Sequence, residues 1–354
     1  MAWFFKRISK KFLGIDIGTS AIKIVELSRF GEKIKLENYG EMGVHTLTEK
    51  PFRTIEKDTL LLSNQDVARV IGSILNKAQI ATREAFFSIP DFSSFFTLLE
   101  LPPMSRQELP SAIQFEARQH IPLPLSEVTL DWTIIEGEIS DRKRSKIRVL
   151  LVAVPHEIIN QYQTIARLSQ VRLVSLEAEV FGLVRALVKN KKGIVGLVDI
   201  GAQSTTFSII ENGVLKVTHS FDVSGNELTR ILSKSLNIGY NEAEELKKKY
   251  GIRSLEMPVG RVLSPLVDLI AGEIEKTSRN FYQTEGKEVE KIILAGGLAL
   301  LSGLKEYLLD WLKKPVETAD PFANVSYPPV LAEILKEMGP AYAIAVGIAL
   351  RGFE

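Results

Sequence analysis

The sequence predicts an α/β fold of two related lobes, with a small strand-helix-strand-strand subdomain inserted into the first. Three observations carry this. Runs rich in Val, Ile and Leu alternate along the chain with stretches of helical period. A pattern near the start, "GIDIGTSAIKIVEL" followed by "SRFGEKIKL", returns at 196–216 as "GLVDIGAQSTTFSIIENGVLK". Residues 85–170 break the alternation with a cluster of strands of their own. At 354 residues the chain is long enough for two or more domains. The expected division is 1–84, first part of lobe I; 85–170, the insert; 171–190, a connecting segment; 191–338, lobe II; and 339–354, a closing helix of lobe I.

Each copy of the repeated pattern holds an apolar strand, Asp-Ile-Gly, small and hydroxyl residues, a second strand, a Gly turn and a third strand. Asp16 corresponds to Asp199, Gly18 to Gly201, Ser20 to Gln203 or Ser204, and Gly31 to Gly213. Between the copies, Val67, Val70, Ile71, Ile74 and Leu75 give the stretch 63–80 a helical period. In the insert, "AFFSIP" and "SSFFTLLEL" read as strands, and Pro102-Pro103 end the second. Ser105 with Glu108 forms a capping box for a helix reaching about Gln119, where "IPLP" stops it. "VTLDWTII" and "SKIRVLLVAVP" are two more strands, and the charged "GEISDRKRS" between them reads as a solvated hairpin tip. A helix follows from about His156, and "EAEVFGLVRALVKN" (177–190) is the next. Later, Asn241 and Glu244 read as a capping box for a helix closed by Gly251. "KIILAGG" ends a strand at Ala295-Gly296-Gly297, and Ser302 is placed to cap the helix after it. "PAYAIAVGIALRG" reads as a buried, closely packed helix.

Composition narrows the function. The net charge of +1 gives no field suited to nucleic acid. The absence of cysteine excludes disulfides and thiolate metal sites, and fits a reducing compartment. Four scattered His argue against a His-based metal site. The longest uncharged apolar stretch, near Ala341–Leu350, is far short of the roughly 20 residues that span a bilayer. In "MAWFFKRISKKFLG", Phe4, Ile8 and Phe12 share a helical face bordered by Lys and Arg. That face suits weak contact with an anionic membrane, but a frayed end running into the first strand is the preferred reading.

The chemistry lies where strands are interrupted. Asp16, Gly18, Thr19 and Ser20 are poor strand material. An acid beside a donor-rich glycine turn is what a magnesium-bound phosphate chain requires, although alone it is also an ordinary hairpin. The second copy supplies Asp199, Gly201, Ala202, Gln203 and Ser204. Two such turns facing one another make a cleft with two acids and two sets of donors. Lys23 is set to help hold phosphate, or is an exposed strand residue. Gly296 and Gly297 let a flat ring or phosphate approach bare backbone. Glu244 and Lys247, one helical turn apart, suit a ribose hydroxyl pair and an adenine edge, or a surface ion pair.

Taken together, these features resemble the actin, Hsp70 and sugar-kinase superfamily, and they do so in order. The first phosphate loop is Asp16–Lys23, and the connecting helix is Glu177–Lys189. The second phosphate loop is Asp199–Thr205, the adenosine loop is Leu294–Ser302, and the last connecting helix is Gly339–Arg351. The resemblance implies a two-lobed actin-like (ribonuclease H-like) ATPase fold. It implies ATP held at all the turn residues above together with Gly225 and Ala299, and Mg²⁺ held by Asp16 and Asp199 through its waters. Glu177 and Glu179 stand as candidates to position the attacking water; capping their own helix is the other reading. ATP binding is expected, with weak or absent hydrolysis.

The insert and its wording narrow the resemblance. "LGIDIGTSAIKIVEL", "LELPPMSRQEL", "FEARQHIPLPLSEVTLDW", "LVAVP" and "SLEAEVFGLVRAL" resemble the PilM family, the cytoplasmic actin-like proteins of type IV pilus assembly. That implies a cytoplasmic scaffold, peripheral at the inner membrane through its partners. The insert and its neighbouring cleft would hold the short N-terminal cytoplasmic tail of a PilN-like inner-membrane protein. Other platform proteins, assembly ATPases and further copies of the chain are additional implied partners. FtsA, the cell-division relative, normally ends in an amphipathic membrane helix, whereas this sequence stops at "IALRGFE". A small-molecule kinase and an FtsA-like filament are the competing functions. No acid-and-amide sugar cluster stands out beyond the phosphate loops.

Overall fold

A computed structural model describes residues 10–43, 63–137, 146–188, 192–253 and 256–354. The expectations for the first nine residues and for most of the "GEISDRKRS" loop lie outside these.

The chain opens with an antiparallel meander, β1 (Lys10–Ile17), β2 (Ala21–Phe30) and β3 (Lys33–Gly43). Helix α1 (Asn64–Lys77) follows, its first turn closed by Ser63 Oγ accepting from the Asp66 amide. Strand β4 (Glu84–Ile89) then runs parallel to β1. Next come β5 (Phe95–Leu101), α2 (Leu109–His120), β6 (Val128–Glu136) and β7 (Ile147–Pro155). Helix α3 (His156–Leu168), β8 (Arg172–Ala178) and α4 (Glu179–Leu187) lead to the second half. There β9 (Ile194–Ile200), β10 (Thr205–Glu211) and β11 (Val214–Phe221) repeat the meander. Helices α5 (Gly225–Leu236), α6 (Tyr240–Tyr250) and α7 (Pro258–Glu285) precede β12 (Lys291–Ala295). The rest is α8 (Leu304–Leu312), β13 (Val316–Thr318), β14 (Val325–Ser326) and α9 (Ala332–Leu350).

The strands form sheets ordered β14-β3-β2-β1-β4-β8, β11-β10-β9-β12-β13 and β5-β7-β6. Apart from the two-residue β14, the first two sheets have the same order, strand for strand. Each has an antiparallel meander and a parallel strand added beside its first strand. The fold is therefore two copies of one α/β unit. The third sheet is the insert, with its own core of Leu99, Leu109, Ile113, Val128, Val149 and Leu151 under α2.

The pairing draws the insert tighter than 85–170. Strand β4 hydrogen-bonds β1 and β8 in the first sheet, and α3 packs on α1 in the core of lobe I. An apolar run such as "EAFFSI" reads the same in either sheet, so only pairing decides its place. Three caps also differ. The Ser105–Glu108 box forms, with the Ser105 amide donating to Glu108 Oε2 at 2.8 Å, but it closes the turn just ahead of α2. Asn241 lies inside α6, which starts from Gly239, because Glu244 is drawn to Lys247 instead. Gly303, at φ +87°, rather than Ser302, leads into α8.

Two helices cross between the lobes at backbone contact. A Cβ on Gly347 of α9 would lie 1.8 Å from the Gly182 carbonyl oxygen of α4. One on Gly14 of β1 would lie 2.0 Å from the Ala345 oxygen of α9. Small residues are required at this crossing because the chains touch main chain to main chain. Arg185 of α4 fixes the same joint. It pairs bidentately with Glu177, at 2.7 Å through both terminal nitrogens, and donates to the Gly347 carbonyl at 3.0 Å.

Candidate functional site

The two repeated hairpins end in the same four-residue turn. In lobe I the Gly18 amide donates to the Ala21 carbonyl at 3.1 Å; in lobe II the Gly201 amide donates to the Ser204 carbonyl at 3.0 Å. A Cβ on either glycine would meet that carbonyl oxygen at 3.0 Å. Strand register pairs Asp16 with Lys23 and Asp199 with Thr206, so Ser20 corresponds to Gln203 and Lys23 to Thr206. Both turns face one cleft of about 450 Å³.

Of the residues expected at the site, Asp16, Gly18, Thr19, Ser20, Lys23, Asp199, Gly201, Ala202, Gln203, Ser204, Gly225, Glu244, Lys247, Gly296 and Gly297 all line this cleft. Two do not. Ala299 is buried in the core of lobe II, one turn past the glycines, with its side chain among Ile and Leu. Glu177 sits at the end of β8, where Arg185 takes both its carboxylate oxygens. Glu179, the first residue of α4, is the glutamate that lines the cleft. The chain changes from strand to helix at Ala178, which sends the two side chains different ways.

Lobe I lines the cleft with acids and a lysine. Asp16 is 3 % exposed and accepts from Ser88 Oγ at 2.9 Å. Burial raises its pKa, against the opposing pull of Lys23. Beyond β4, Asp91 and Glu179 support each other across the chain. Asp91 Oδ1 accepts from the Val180 amide at 3.1 Å, and the Asp91 amide donates to Glu179 Oε2 at 3.3 Å. Asp91 thereby caps α4 from a distant segment, although the sequence around it carries no helix-start signal. Burial pushes Asp91 up to about 7, with Asp199 adding to it, and pushes Glu179 well above the usual carboxylate range, where the charge of Asp91 raises it further. Asp199 is pushed up to about 6 by burial and by Asp16. Among the described residues, no group of three or more His, Asp or Glu is arranged to ligate a metal directly. Asp16, Glu179 and Asp199 nevertheless line one cleft, with Asp91 behind Glu179, and such acids suit a cation that keeps its water shell.

Lobe II contributes backbone and one buried pair. The Gly225 and Asn226 amides at the start of α5 donate to the Gly201 and Ala202 carbonyls, both at 3.0 Å, which anchors the second turn. Lys247, 3 % exposed, donates to the Gly225 carbonyl at 2.9 Å and to Thr229 Oγ1 at 2.7 Å. It pairs with Glu244 at 2.7 Å. Burial favours the neutral acid, but Lys247 and Thr229 hold Glu244 below its ordinary pKa. Gly296, at φ +87°, closes the floor: a Cβ there would lie 2.5 Å from the Ile200 oxygen and 2.6 Å from Asp199 Oδ1.

A model of the family described as "Type IV pilus assembly protein PilM" matches residues 14–353. The chain belongs to the PilM family. Among curated proteins it is similar to the cell division protein FtsA. The identity is 23 % over 256 residues in Bacillus subtilis, covering 68 % of this chain and 58 % of that one. With FtsA of Neisseria meningitidis it is 30 % over 159 residues, 38 % of each chain. A solved PilM-PilN type IV pilus biogenesis complex matches with a TM-score of 0.83 at 24 % identity, covering 97 % of this chain and 98 % of that one. MreB5 of Spiroplasma citri bound to AMPPNP matches at a TM-score of 0.55 and 13 % identity, over 98 % of this chain and 96 % of that one. The fold of this PilM-family chain is thus actin-like, as the repeated hairpins imply.

Several residues that build the cleft carry no local signal in the sequence. Tyr162 lines it, Ser88 stands behind Asp16 and Asp91 behind Glu179, only because β4 and α3 belong to lobe I. A second cavity, of about 400 Å³, lies between the insert and lobe II, among Phe95, His120, Gln203 and Phe221. Gln203 and Ser204 line both cavities, so the second glycine turn forms the wall between them. No helix among the described residues is long and apolar enough to cross a membrane.

Proposed function

We propose that this chain is an ATP-binding scaffold of the type IV pilus inner-membrane platform, acting at its cytoplasmic face. In this reading it grips the N-terminal cytoplasmic tail of a PilN-like protein. The observation that carries the nucleotide half is the pair of identical glycine turns opposed across one cleft. Donor-rich turns hold phosphates, and Lys23 adds a charge at the same end. Gly225, Gly296 and Gly297 leave bare backbone for the nucleoside, beside Glu244 and Lys247. Asp16 and Asp199 would hold Mg²⁺ through its waters. The ion would offset the charge that burial disfavours on both carboxylates and would neutralise negative charge on the phosphates. Glu179 replaces Glu177 as the group to orient a water. A nucleotide bound across both lobes stabilises the closed arrangement whether or not it is hydrolysed.

The partner half is supported by family membership and by the insert's surface, where Phe115 is 62 % exposed on α2 and Trp132 is 36 % exposed on β6. The experiment is a titration of the PilN N-terminal peptide from the same organism, followed by heat and by Trp fluorescence, with and without Mg²⁺-ATP. Saturable one-to-one binding is expected, with an affinity that differs between the two conditions. Binding in neither condition, with ATP still bound, would overturn the scaffold reading and return weight to a kinase or a filament.

A further inference from the structure

Tyr162 of α3 is 1 % exposed, and its ring stands edge-on to Phe87, centroids 6.2 Å apart at 89°. The packing fixes the ring, yet its hydroxyl, buried in the wall of the cleft, has no hydrogen-bond partner. Buried hydroxyls are normally paired, and one left open is costly unless something arrives to meet it. Its surroundings say what that is. Its ring packs in the lobe I core with Ile15, Ile17 and Phe87, so it enters the cleft wall beside the strand that carries Asp16, and Asp16 and Glu179 line the same cleft. The hydroxyl therefore sits at the phosphate end of the cleft, away from Glu244 and Lys247. Most side chains at this end are acceptors, suited to a hydrated cation. A phosphate oxygen needs donors, and the phenol supplies one from lobe I.

Resting on the nucleotide reading above, we infer that the Tyr162 hydroxyl donates to the terminal phosphate of a nucleoside triphosphate, so that the cleft distinguishes a triphosphate from a diphosphate. A diphosphate ends short of the phenol and leaves it unpaired, as it is in the ligand-free chain. The triphosphate satisfies it, and the gain falls on one ligand only.

The test is Tyr162→Phe, which removes one oxygen and keeps the ring against Phe87. Loss of an unpartnered hydroxyl leaves the ligand-free melting temperature unchanged or slightly raised. Affinities of wild type and variant are measured calorimetrically for Mg²⁺-ATP, Mg²⁺-AMPPNP and Mg²⁺-ADP. The expected result is a loss of about ten- to a hundredfold for both triphosphates and no change for ADP. Equal losses for ATP and ADP would overturn the inference, because they would mark Tyr162 as general packing of the cleft. No loss for either would overturn it as well. Wild type that binds neither nucleotide would instead sink the nucleotide reading itself, and that result is visible before the variant is made.

Discussion

The two lobes share a strand order but end the same strand differently. In lobe I, β4 runs beside β1 and leads to Ser88 and Asp91, which support the cleft acids Asp16 and Glu179 from behind. In lobe II, β12 runs beside β9 and delivers Gly296 and Gly297. The hairpins differ in the same sense, with Lys23 in one where Thr206 stands in the other. Lobe I is the charged half and lobe II the bare-backbone half. One unit, used twice, thereby yields two unlike surfaces, which are what the proposed nucleotide would need: one for charged phosphates, one for a flat nucleoside. The turns that bind backbone to backbone are the part that has stayed alike.

The contrast is broken most severely at Gly296. Gly296→Val places a side chain on the Ile200 oxygen and on Asp199 Oδ1, at a φ that branched residues avoid. Thermal unfolding should show a loss of roughly 4 kcal/mol, together with the loss of Mg²⁺-ATP binding. A variant as stable as wild type would show that this floor is not packed as described.

The next effect is on lobe I and depends on pH. Asp91 has a folded pKa of about 7, above its unfolded value, so the folded chain holds the extra proton. Stability of the ligand-free chain attributable to Asp91 is then full in acid and falls as pH rises from about 4 through about 7. The charge of Asp199 raises it as well, so that neighbour acts in the same direction as burial. Asp91→Asn keeps an acceptor for the Val180 amide and removes the charge. At pH 8 it should be more stable than wild type, by on the order of 3 kcal/mol, and equal to it near pH 4. Chemical denaturation across that range checks it, and a difference independent of pH would refute the assignment.

The smallest effect tests the likeness rather than the contrast. Gly18→Ala and Gly201→Ala each press one carbonyl oxygen at 3.0 Å. Each should cost about 1 kcal/mol, and the two values should agree within about 0.5 kcal/mol. A clear inequality in denaturant midpoints would mean that the turns are alike in outline only.

Much of this was legible in the sequence because it is local. The Asp-Ile-Gly turns are short departures from strand composition, and their repetition fixes the lobes before any contact is known. What escaped depends on partners distant in the chain. Glu177 and Glu179 are two residues apart, and only Arg185, two turns along α4, shows which is taken. Asp91 follows an ordinary Pro, and its value as a cap for α4 requires β4 and β8 to lie side by side. Tyr162 reads as one apolar position of an amphipathic helix; its unmet hydroxyl is visible only in three dimensions.

The crossing of α4 and α9 bears on how such a chain can change over generations. Gly182 and Gly347 meet with no room for a methyl group on Gly347, and Gly14 meets Ala345 in the same way. Any single substitution that adds a carbon at Gly14 or Gly347 forces main chains apart at this crossing, and no change elsewhere in one step makes the space. Surface loops, the insert and even the cleft's side chains are open to gradual exchange. The α4–α9 crossing is reachable only by paired changes, so it is the part of the molecule expected to drift last.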